Sequence, residues 1–249
     1  MPVSTKPSAA QFAYESLKDW ILSGFLVPGE KIDQDEAASK LNLSRMPIRS
    51  GLDRLATEGL VIKTPHRGAI VSPLSDISLN HLFDVRAQME SMAITITAAS
   101  APDVSVEKMY NMLNSQQDVG ANSMSNILEQ NRIFHRFIVQ LSENEVLLRL
   151  FDTIWEQCER YRRIYYQVPN SNDRILREHR QIADLIAQRS VQKAADFIVQ
   201  HTRNSQQSLL EFMGKQIAPL QHRLIYLPTE QAVRNPVVEE KHSKVEMPI

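Results

Sequence analysis

The chain has 249 residues, of which 43% are apolar, 23% charged and 6% aromatic, a composition typical of a globular protein of one or two domains. The formal net charge of −1 excludes an overall basic field, so any DNA contact has to come from a local patch. The single cysteine, Cys158, excludes an intramolecular disulfide, and the sequence shows neither a signal-peptide pattern nor a membrane-spanning apolar run. We therefore expect a cytoplasmic, mainly α-helical protein with no membrane contact.

The spacing of glycine and proline divides the chain into five predicted segments. Five of the 7 glycines lie in the first seventy residues, which is typical of a small, turn-rich domain followed by long helices. We expect a poorly ordered N-terminus over 1–10, a first domain over 11–72, a linker over 73–77, a second domain over 78–215 and a poorly ordered tail over 216–249.

Three helices and a β-hairpin are predicted in the first domain. Apolar residues at helical spacing form a first helix that ends at Gly24, and Asp33 resembles the first residue of a capping box that begins a second helix. Ser44 is a suitable N-cap for a third helix. Two β-rich runs, 60–63 and 69–71, flank a turn. This order of elements predicts a winged helix-turn-helix with a small β-hairpin as its wing.

The third helix carries the first group of predicted DNA contacts. Arg45 and Arg49 lie four residues apart, near the helix N-terminus and opposite its apolar side. A recognition helix reaches base edges in the major groove from this position, and an arginine fork can donate two hydrogen bonds to guanine. Residues 44–67 contain five cations and two anions, so the patch is locally basic. Taken alone, the two arginines could also be ordinary solvated charge.

The tip of the hairpin is a second predicted DNA contact, formed by His66, Arg67 and Gly68. A glycine at the tip allows the backbone to approach a phosphate closely, and Arg67 could enter the minor groove. A turn that makes no contact with DNA is the alternative.

The segment 22–71 resembles the winged helix of GntR-family transcriptional regulators. The resemblance lies in the stretches ILSGFLVPGEKI, LNLSRMPIRSGLDRLATEGLV and PHRGAIV. It implies that the recognition helix and the wing contact DNA in this chain as they do in the family. The residues that match the family pattern are Ser44, Arg45, Pro47, Arg49 and Gly68.

The recognition helix departs from the family pattern at two positions. After the second arginine the family usually has a glutamate and an alanine, whereas this chain has Ser50 and Gly51. A glycine inside a helix costs roughly 1 kcal/mol relative to alanine. We therefore expect a softer recognition helix than is usual in the family.

An antiparallel helical bundle is predicted after the linker. Helical periodicity over 78–215 gives about six helices. The breaks between them are expected near Pro102, Gly120, Asn144, Pro169 and Ser190.

Three histidines and an asparagine lie on the apolar faces of these helices. Asn131 and His135 are four residues apart, and His179 and His201 each lie eleven residues from the break near Ser190. An antiparallel hairpin brings the last two histidines to the same height, about 16 Å along each helix at 1.5 Å per residue. Imidazole is the commonest ligand of Zn²⁺ and Ni²⁺, so the pattern predicts a metal or ligand site. Hydrogen-bonded core histidines are the alternative.

This second pattern resembles the effector domain of FadR-type GntR regulators. The resemblance implies a homodimer whose bundle binds a divalent metal and a small carboxylate effector, which changes how the two winged helices sit on an inverted-repeat operator. The family's aspartate is Asn131 here, a neutral oxygen ligand in place of an anion. We expect a weaker metal site, or a pocket whose histidines bind the carboxylate directly.

Several arginines are further candidates for the effector pocket. Arg86 and Glu90, four residues apart, match another family element, and Arg86 could hold a carboxylate bidentately. A surface ion pair is the alternative for these two residues. At most two of the arginines over 160–163 are expected to point inward, and Trp155 is interpreted as a core residue rather than a stacking platform.

The combined pattern predicts a ligand-responsive, dimeric transcriptional regulator, most often a repressor in this family. One alternative is a protein-interaction module that has lost DNA binding. Another is a metalloenzyme in which three histidines hold Zn²⁺ and its water. That enzyme would need a general base, and we expect no carboxylate on the inward faces to supply one.

Overall fold

The computed structural model describes residues 7–64, 68–117, 124–165 and 171–217. The first domain contains α1 (Ala9–Ser23), β1 (Lys31–Ile32), α2 (Gln34–Leu41), α3 (Arg45–Thr57), β2 (Val61–Thr64) and β3 (Gly68–Val71). The second domain contains α4 (Asp76–Ser100), α5 (Asp103–Gln117), α6 (Met124–Leu141), α7 (Glu145–Tyr165), α8 (Ser171–Ala187) and α9 (Val191–Ile217).

The helices of the first domain begin and end at capping residues. The side chain of Ser8 accepts a hydrogen bond from the backbone N–H of Gln11, so α1 begins at Ala9 and the domain starts before the expected residue 11. Oδ1 of Asp33 accepts from two backbone N–H groups at the start of α2. Asn42, with φ 52°, makes the tight turn that leads into α3.

The wing is a three-stranded antiparallel sheet in the order β1-β3-β2. Strand β2 pairs with β3 in the predicted hairpin, with Val61 opposite Val71. Strand β1 was not predicted, because two residues are too few for an alternating pattern; it pairs Lys31 with Ile70 on the other edge of β3. The residues of the turn, among them His66 and Arg67, lie outside the described residues.

Helices α1 and α3 pack closely because α3 carries a glycine at their contact. Gly51 is buried, and a Cβ atom placed on it would lie 3.0 Å from the backbone N of Tyr14 and 3.2 Å from its Cα. The expectation that Gly51 only softens the recognition helix is therefore incomplete. Its missing side chain allows the backbone of α1 to approach α3 directly.

Helix α4 is the central element of the second domain. It packs along α9 and also contacts α6, α7 and α8. Ser75 caps α4, which begins at Asp76, so the link between the domains is shorter than the predicted 73–77. Helix α9 continues to Ile217, two residues past the predicted end of the domain. The structure confirms a mainly helical fold with a winged helix-turn-helix and a helical second domain.

The predicted helix breaks agree with the structure where it describes them. Breaks occur at Pro102, Asn144 and Ser190, whereas Gly120 and Pro169 lie outside the described residues. Of the segments expected to be poorly ordered, 1–10 and 216–249, residues 1–6 and 218–249 are also outside them, whereas 9–10 are helical in α1 and 216–217 are helical in α9. In the described part of the chain, no helix combines the length and the apolar character needed to cross a membrane.

Replacing Gly51 by alanine tests the close packing of α1 on α3. Alanine improves intrinsic helix propensity by roughly 1 kcal/mol, but the new methyl group meets the backbone of Tyr14. We expect Gly51→Ala to lower the melting temperature. Gly214→Ala is the matched control, because this helical glycine has nothing within 4 Å of its Cβ position, and we expect it to raise the melting temperature. The melting temperatures are measured by thermal unfolding. An equal rise in the melting temperature of both variants would contradict the packing role.

Candidate functional site

The N-terminal end of α3 is exposed where DNA contacts are predicted. Ser44, Arg45 and Arg49 are all exposed, while Ile48 and Leu52 on the opposite side are buried. Ser44 occupies the N-cap position without a side-chain capping hydrogen bond. The structure therefore presents the three predicted residues to solvent at one end of the helix.

Ion pairs engage most of the basic groups counted in this patch. Both carboxylate oxygens of Asp35, in α2, accept from the Nε and Nη2 groups of Arg45. Lys63 on β2 pairs with Asp53 on α3. Arg49 has no ion-pair partner among the residues that the structure describes. The sequence count missed the first pair because Asp35 lies outside the segment 44–67.

An open cleft separates the N-terminal ends of α2 and α3 from the wing. Asp35, Arg45, Lys31 and Gly68 are among its lining residues. Gly68 begins β3 with φ 89°, and the Cε atom of Lys31 lies 3.8 Å from its Cβ position. Of the predicted contact residues, Arg45 on the helix and Gly68 on the wing thus border one cleft, whereas His66 and Arg67 lie outside the described residues.

The three predicted histidines meet in the interior of the second domain. His135 from α6, His179 from α8 and His201 from α9 are buried, and their ligand nitrogens lie within 4.8 Å of one another. The Nε2 atoms of His135 and His179 are 3.1 Å apart. The ring of His135 stacks on that of His201, with centroids 5.2 Å apart. The structure brings together the residues whose register the helix hairpin predicted.

Two carboxylates contact the histidine cluster. Oε1 of Glu90 lies 2.9 Å from Nδ1 of His135, and Oε2 of Glu178 lies 2.6 Å from Nδ1 of His201. A carboxylate at Nδ1 favours the tautomer that carries its proton there, which leaves the Nε2 lone pair available. The expectation that no carboxylate lies beside the cluster is wrong. Glu90 was noted in the sequence only as the partner of Arg86, and Glu178 directly precedes His179.

Arg86 and Glu90 form a buried pair and not a surface one. Each side chain is only 2% exposed, and Nε of Arg86 donates to Oε1 of Glu90 at 3.0 Å. Thr202 donates to the second carboxylate oxygen at 2.8 Å. The Nη2 atom of Arg86 is 3.5 Å from Nε2 of His135. The guanidinium therefore reaches the edge of the histidine cluster.

Burial and neighbouring charges set the protonation of the cluster. Burial lowers the pKa of His135 to about 3, although Glu90 acts in the opposite direction. Burial and the neighbouring His135 also place the pKa of His179 well below its ordinary value. Burial raises the pKa of Glu90, but Arg86 and His135 more than reverse this effect and hold it well below the ordinary range. At neutral pH, His135 and His179 are therefore neutral beside an ionised Glu90.

Asn131 lies one turn before His135 and is also buried. Its Oδ1 accepts a hydrogen bond from Nη2 of Arg162 on α7. The guanidinium groups of Arg162 and Arg86 lie 4.7 Å and 4.3 Å from the ring centroid of Trp155. Trp155 is fully buried, as expected, but it is also the aromatic platform for two cations. Trp155 is therefore both a core residue and a stacking platform, and the interpretation of it as a core residue alone is wrong.

Arg160 and Tyr161 on α7 contact the link between the two domains rather than the histidine cluster. Nη2 of Arg160 donates to the backbone oxygen of Ser72. The hydroxyl of Tyr161 donates to the backbone oxygen of Ser75 at 3.2 Å and accepts from its N–H at 3.1 Å. Burial lowers the pKa of Arg160 to about 10. Of the candidate arginines, Arg162 reaches the cluster and Arg160 reaches the interdomain link.

Lys18 on α1 joins the two domains through a second contact. Its Nζ atom lies 2.6 Å from Glu156 on α7 and 3.2 Å from Glu58, which follows α3. The side chain of Gln157 lies against Gly59 in the turn between α3 and β2. Helix α7 therefore contacts the first domain with one set of residues and the histidine cluster with another.

Comparisons with known proteins agree with this arrangement of domains. The model described as "Bacterial regulatory proteins, gntR family" matches residues 9–71, and the "FCD domain" model matches residues 81–204. The Nta operon transcriptional regulator of Aminobacter aminovorans is 31% identical over 186 residues, which cover 75% of this chain and 87% of that protein. The HTH-type transcriptional repressor GlaR of Escherichia coli (strain K12) is 25% identical over 197 residues, covering 76% and 90%.

Solved structures share the fold at lower sequence identity. Escherichia coli McbR/YncC superposes with a TM-score of 0.68 at 17% identity, over 83% of this chain and 99% of that one. A putative transcriptional regulator GntR from Rhodococcus sp. RHA1 gives a TM-score of 0.70 at 16% identity, over 82% and 99%. With its winged helix-turn-helix and its FCD domain, the chain belongs to the GntR family of bacterial transcriptional regulators and is a DNA-binding regulator, not an enzyme.

Proposed function

We propose that this regulator acts as a homodimeric repressor on an inverted-repeat operator, and that a small carboxylate bound at the histidine cluster changes its affinity for DNA. The cluster carries the proposal: three buried histidines meet beside Arg86, inside the domain that holds the effector in this family. The repressor role is supported by the similarity to GlaR, which is described as an HTH-type transcriptional repressor.

An exposed apolar stripe on α4 supports the homodimer. Ile77, Val85, Met92 and Ile96 are exposed at spacings of eight, seven and four residues, so they follow one face of the helix. Single exposed apolar residues are ordinary, whereas a row along several turns is typical of an interface. A second copy of the chain that packs on this stripe would place two winged helices in one assembly.

The residues of the cluster fit a divalent metal such as Zn²⁺ or Ni²⁺. A Zn–N distance of about 2.0–2.1 Å places neighbouring ligand nitrogens roughly 3.0–3.4 Å apart. The His135 and His179 Nε2 atoms are separated by 3.1 Å, and the ligand nitrogens of all three histidines lie within 4.8 Å of one another. Glu90 and Glu178 orient His135 and His201 with the Nε2 lone pairs available. A bound metal would supply a positive centre for a carboxylate, and Arg86 would hold that carboxylate from the side.

The neutral residue at position 131 favours a second candidate for this pocket. Asn131 supplies no negative charge, and its oxygen already accepts from Arg162. With Arg86 and Arg162 both stacked on Trp155, the pocket can attract a carboxylate without a metal. Metal-assisted and direct binding of the carboxylate are therefore distinguishable by metal affinity.

Helix α7 offers a route from the pocket to DNA. Trp155 and Arg162 face the cluster, whereas Glu156 and Arg160 hold Lys18 and Ser72 of the first domain. A ligand that changes the position of Arg162 would therefore act on the same helix that positions the winged helix. This gives the effector a physical means of changing operator affinity.

DNA readout by α3 is tested with Arg49→Ala. Because Arg49 is exposed and has no described ion-pair partner, we expect its removal to weaken binding to a duplex selected by the wild type by about 10- to 100-fold. Arg149→Ala, at an exposed α7 residue, is the matched control and should bind normally. Fluorescence anisotropy at fixed salt measures both affinities. Equal affinity of the two variants would exclude Arg49 from the DNA contact.

The metal site is tested by Asn131→Asp. An added anionic ligand should raise the affinity for Zn²⁺ and Ni²⁺ by about tenfold, within the range known for residues that tune metal sites. Asn114→Asp is the matched control, because Asn114 also accepts from an arginine, Arg180, but lies exposed on α5. Native mass spectrometry and chelator competition report occupancy and affinity. If neither the wild type nor Asn131→Asp binds either ion, direct carboxylate binding replaces the metal.

The route through α7 is tested by Lys18→Met. With Zn²⁺ as the probe, we expect the wild-type DNA affinity to change by a factor within the usual allosteric range of about 5- to 150-fold. Lys18→Met removes the contact with Glu156 and should bring this factor close to one, while Zn²⁺ and DNA each still bind. Lys108→Met, on the exposed side of α5, should keep the wild-type factor. A wild-type factor in Lys18→Met would exclude this route.

A further inference from the structure

The Asp35–Arg45 pair has a geometry that matters for base recognition. Asp35 lies in the first turn of α2, and Arg45 is the first residue of α3. The two carboxylate oxygens accept from Nε and Nη2 of the guanidinium, so the fork is held along its side edge. Both side chains are well exposed, 62% for Asp35 and 72% for Arg45, so solvent and DNA can reach them.

This contact leaves the end edge of the guanidinium available. The Nη1 group and the second hydrogen of Nη2 form a pair of parallel donors that Asp35 does not use. Guanine presents two acceptors, O6 and N7, at a matching separation in the major groove. A side chain that is held in one plane before binding loses less rotamer freedom when it meets the base. The pair thus presents Arg45 in a form suited to guanine.

The charge of Asp35 is unfavourable for DNA binding in general. A carboxylate near the phosphate backbone repels it, and Asp33 and Glu36 stand beside Asp35 at the start of α2. An exposed ion pair also contributes little to the stability of the fold. A carboxylate in the first turn of α2 is favourable with the helix dipole, but neither the dipole nor general DNA affinity accounts for its bidentate contact with Arg45, whereas control of Arg45 does.

We propose that Asp35 is a specificity-determining residue of this regulator, which holds Arg45 for recognition of one guanine in each half-site. The proposal rests on the proposed role of α3 as the helix that reads bases. Arg45 touches the base, and Asp35 acts through Arg45 as its positioning residue.

The chain offers a matched control on the other side of the recognition helix. Asp53 on α3 forms a similar exposed ion pair with Lys63 on the wing. Lysine is a single point charge without a planar fork, so Asp53 has no guanidinium to align. Asp53→Ala therefore removes one negative charge from the same domain without touching Arg45.

Selection of duplexes from a random-sequence library tests the proposal. The full-length wild type, Asp35→Ala, Asp35→Asn, Asp53→Ala and Arg45→Ala are compared for base preference at each position. We expect Arg45→Ala to lose one guanine preference per half-site. Asp35→Ala and Asp35→Asn should lower that same preference about tenfold. Their affinity for duplexes averaged over all sequences should be unchanged or higher. Asp53→Ala should keep the wild-type preference.

The outcomes separate this proposal from the role of α3 itself. An unchanged guanine preference in both Asp35 variants, with a loss in Arg45→Ala, would overturn the positioning role and leave base readout intact. Unchanged selection in Arg45→Ala as well would remove Arg45 from base readout and overturn both. A uniform loss of affinity across all duplexes in the Asp35 variants, with preferences retained, would show a merely structural residue.

Discussion

The second domain is organised around the buried carboxylate of Glu90. An ionised group in the interior is strongly destabilising unless neighbouring groups compensate for its charge and hydrogen-bond its oxygens. Glu90 satisfies this requirement with Arg86 from its own helix, His135 from α6 and Thr202 from α9. These contacts hold α4, α6 and α9 in one register, because a shift of any of them would remove one of the three partners of this charge.

The same network fixes the side chains of the proposed pocket before any ligand binds. Glu90 holds the ring of His135, and burial keeps the imidazole neutral with a pKa of about 3. Arg162 and Arg86 are both stacked on Trp155, so their guanidinium groups are oriented by the ring. A ligand bound there would therefore meet fixed side chains, and any displacement it caused would be carried by whole helices.

Sequence reasoning succeeded where periodicity decides position and failed where contacts join distant elements. Equal spacing from the break near Ser190 placed His179 and His201 at one height, as the structure has them. The pairing of Asp35 with Arg45 depends on the angle between α2 and α3, which no periodic pattern contains. Gly51 was interpreted from helix propensity alone, since the approach of Tyr14 follows only from the packing of two helices.

The substitution at position 131 links the two ligands of the proposed pocket. An aspartate there would offset part of the charge of a divalent ion, but Asn131 is neutral and Arg162 already donates to it. Arg86 adds a further positive group near Nε2 of His135. A metal in this cluster would therefore gain much of its charge compensation from an incoming carboxylate, and the carboxylate would gain a positive centre. Each ligand favours the other, so the regulator would respond to the two together more strongly than to either one alone.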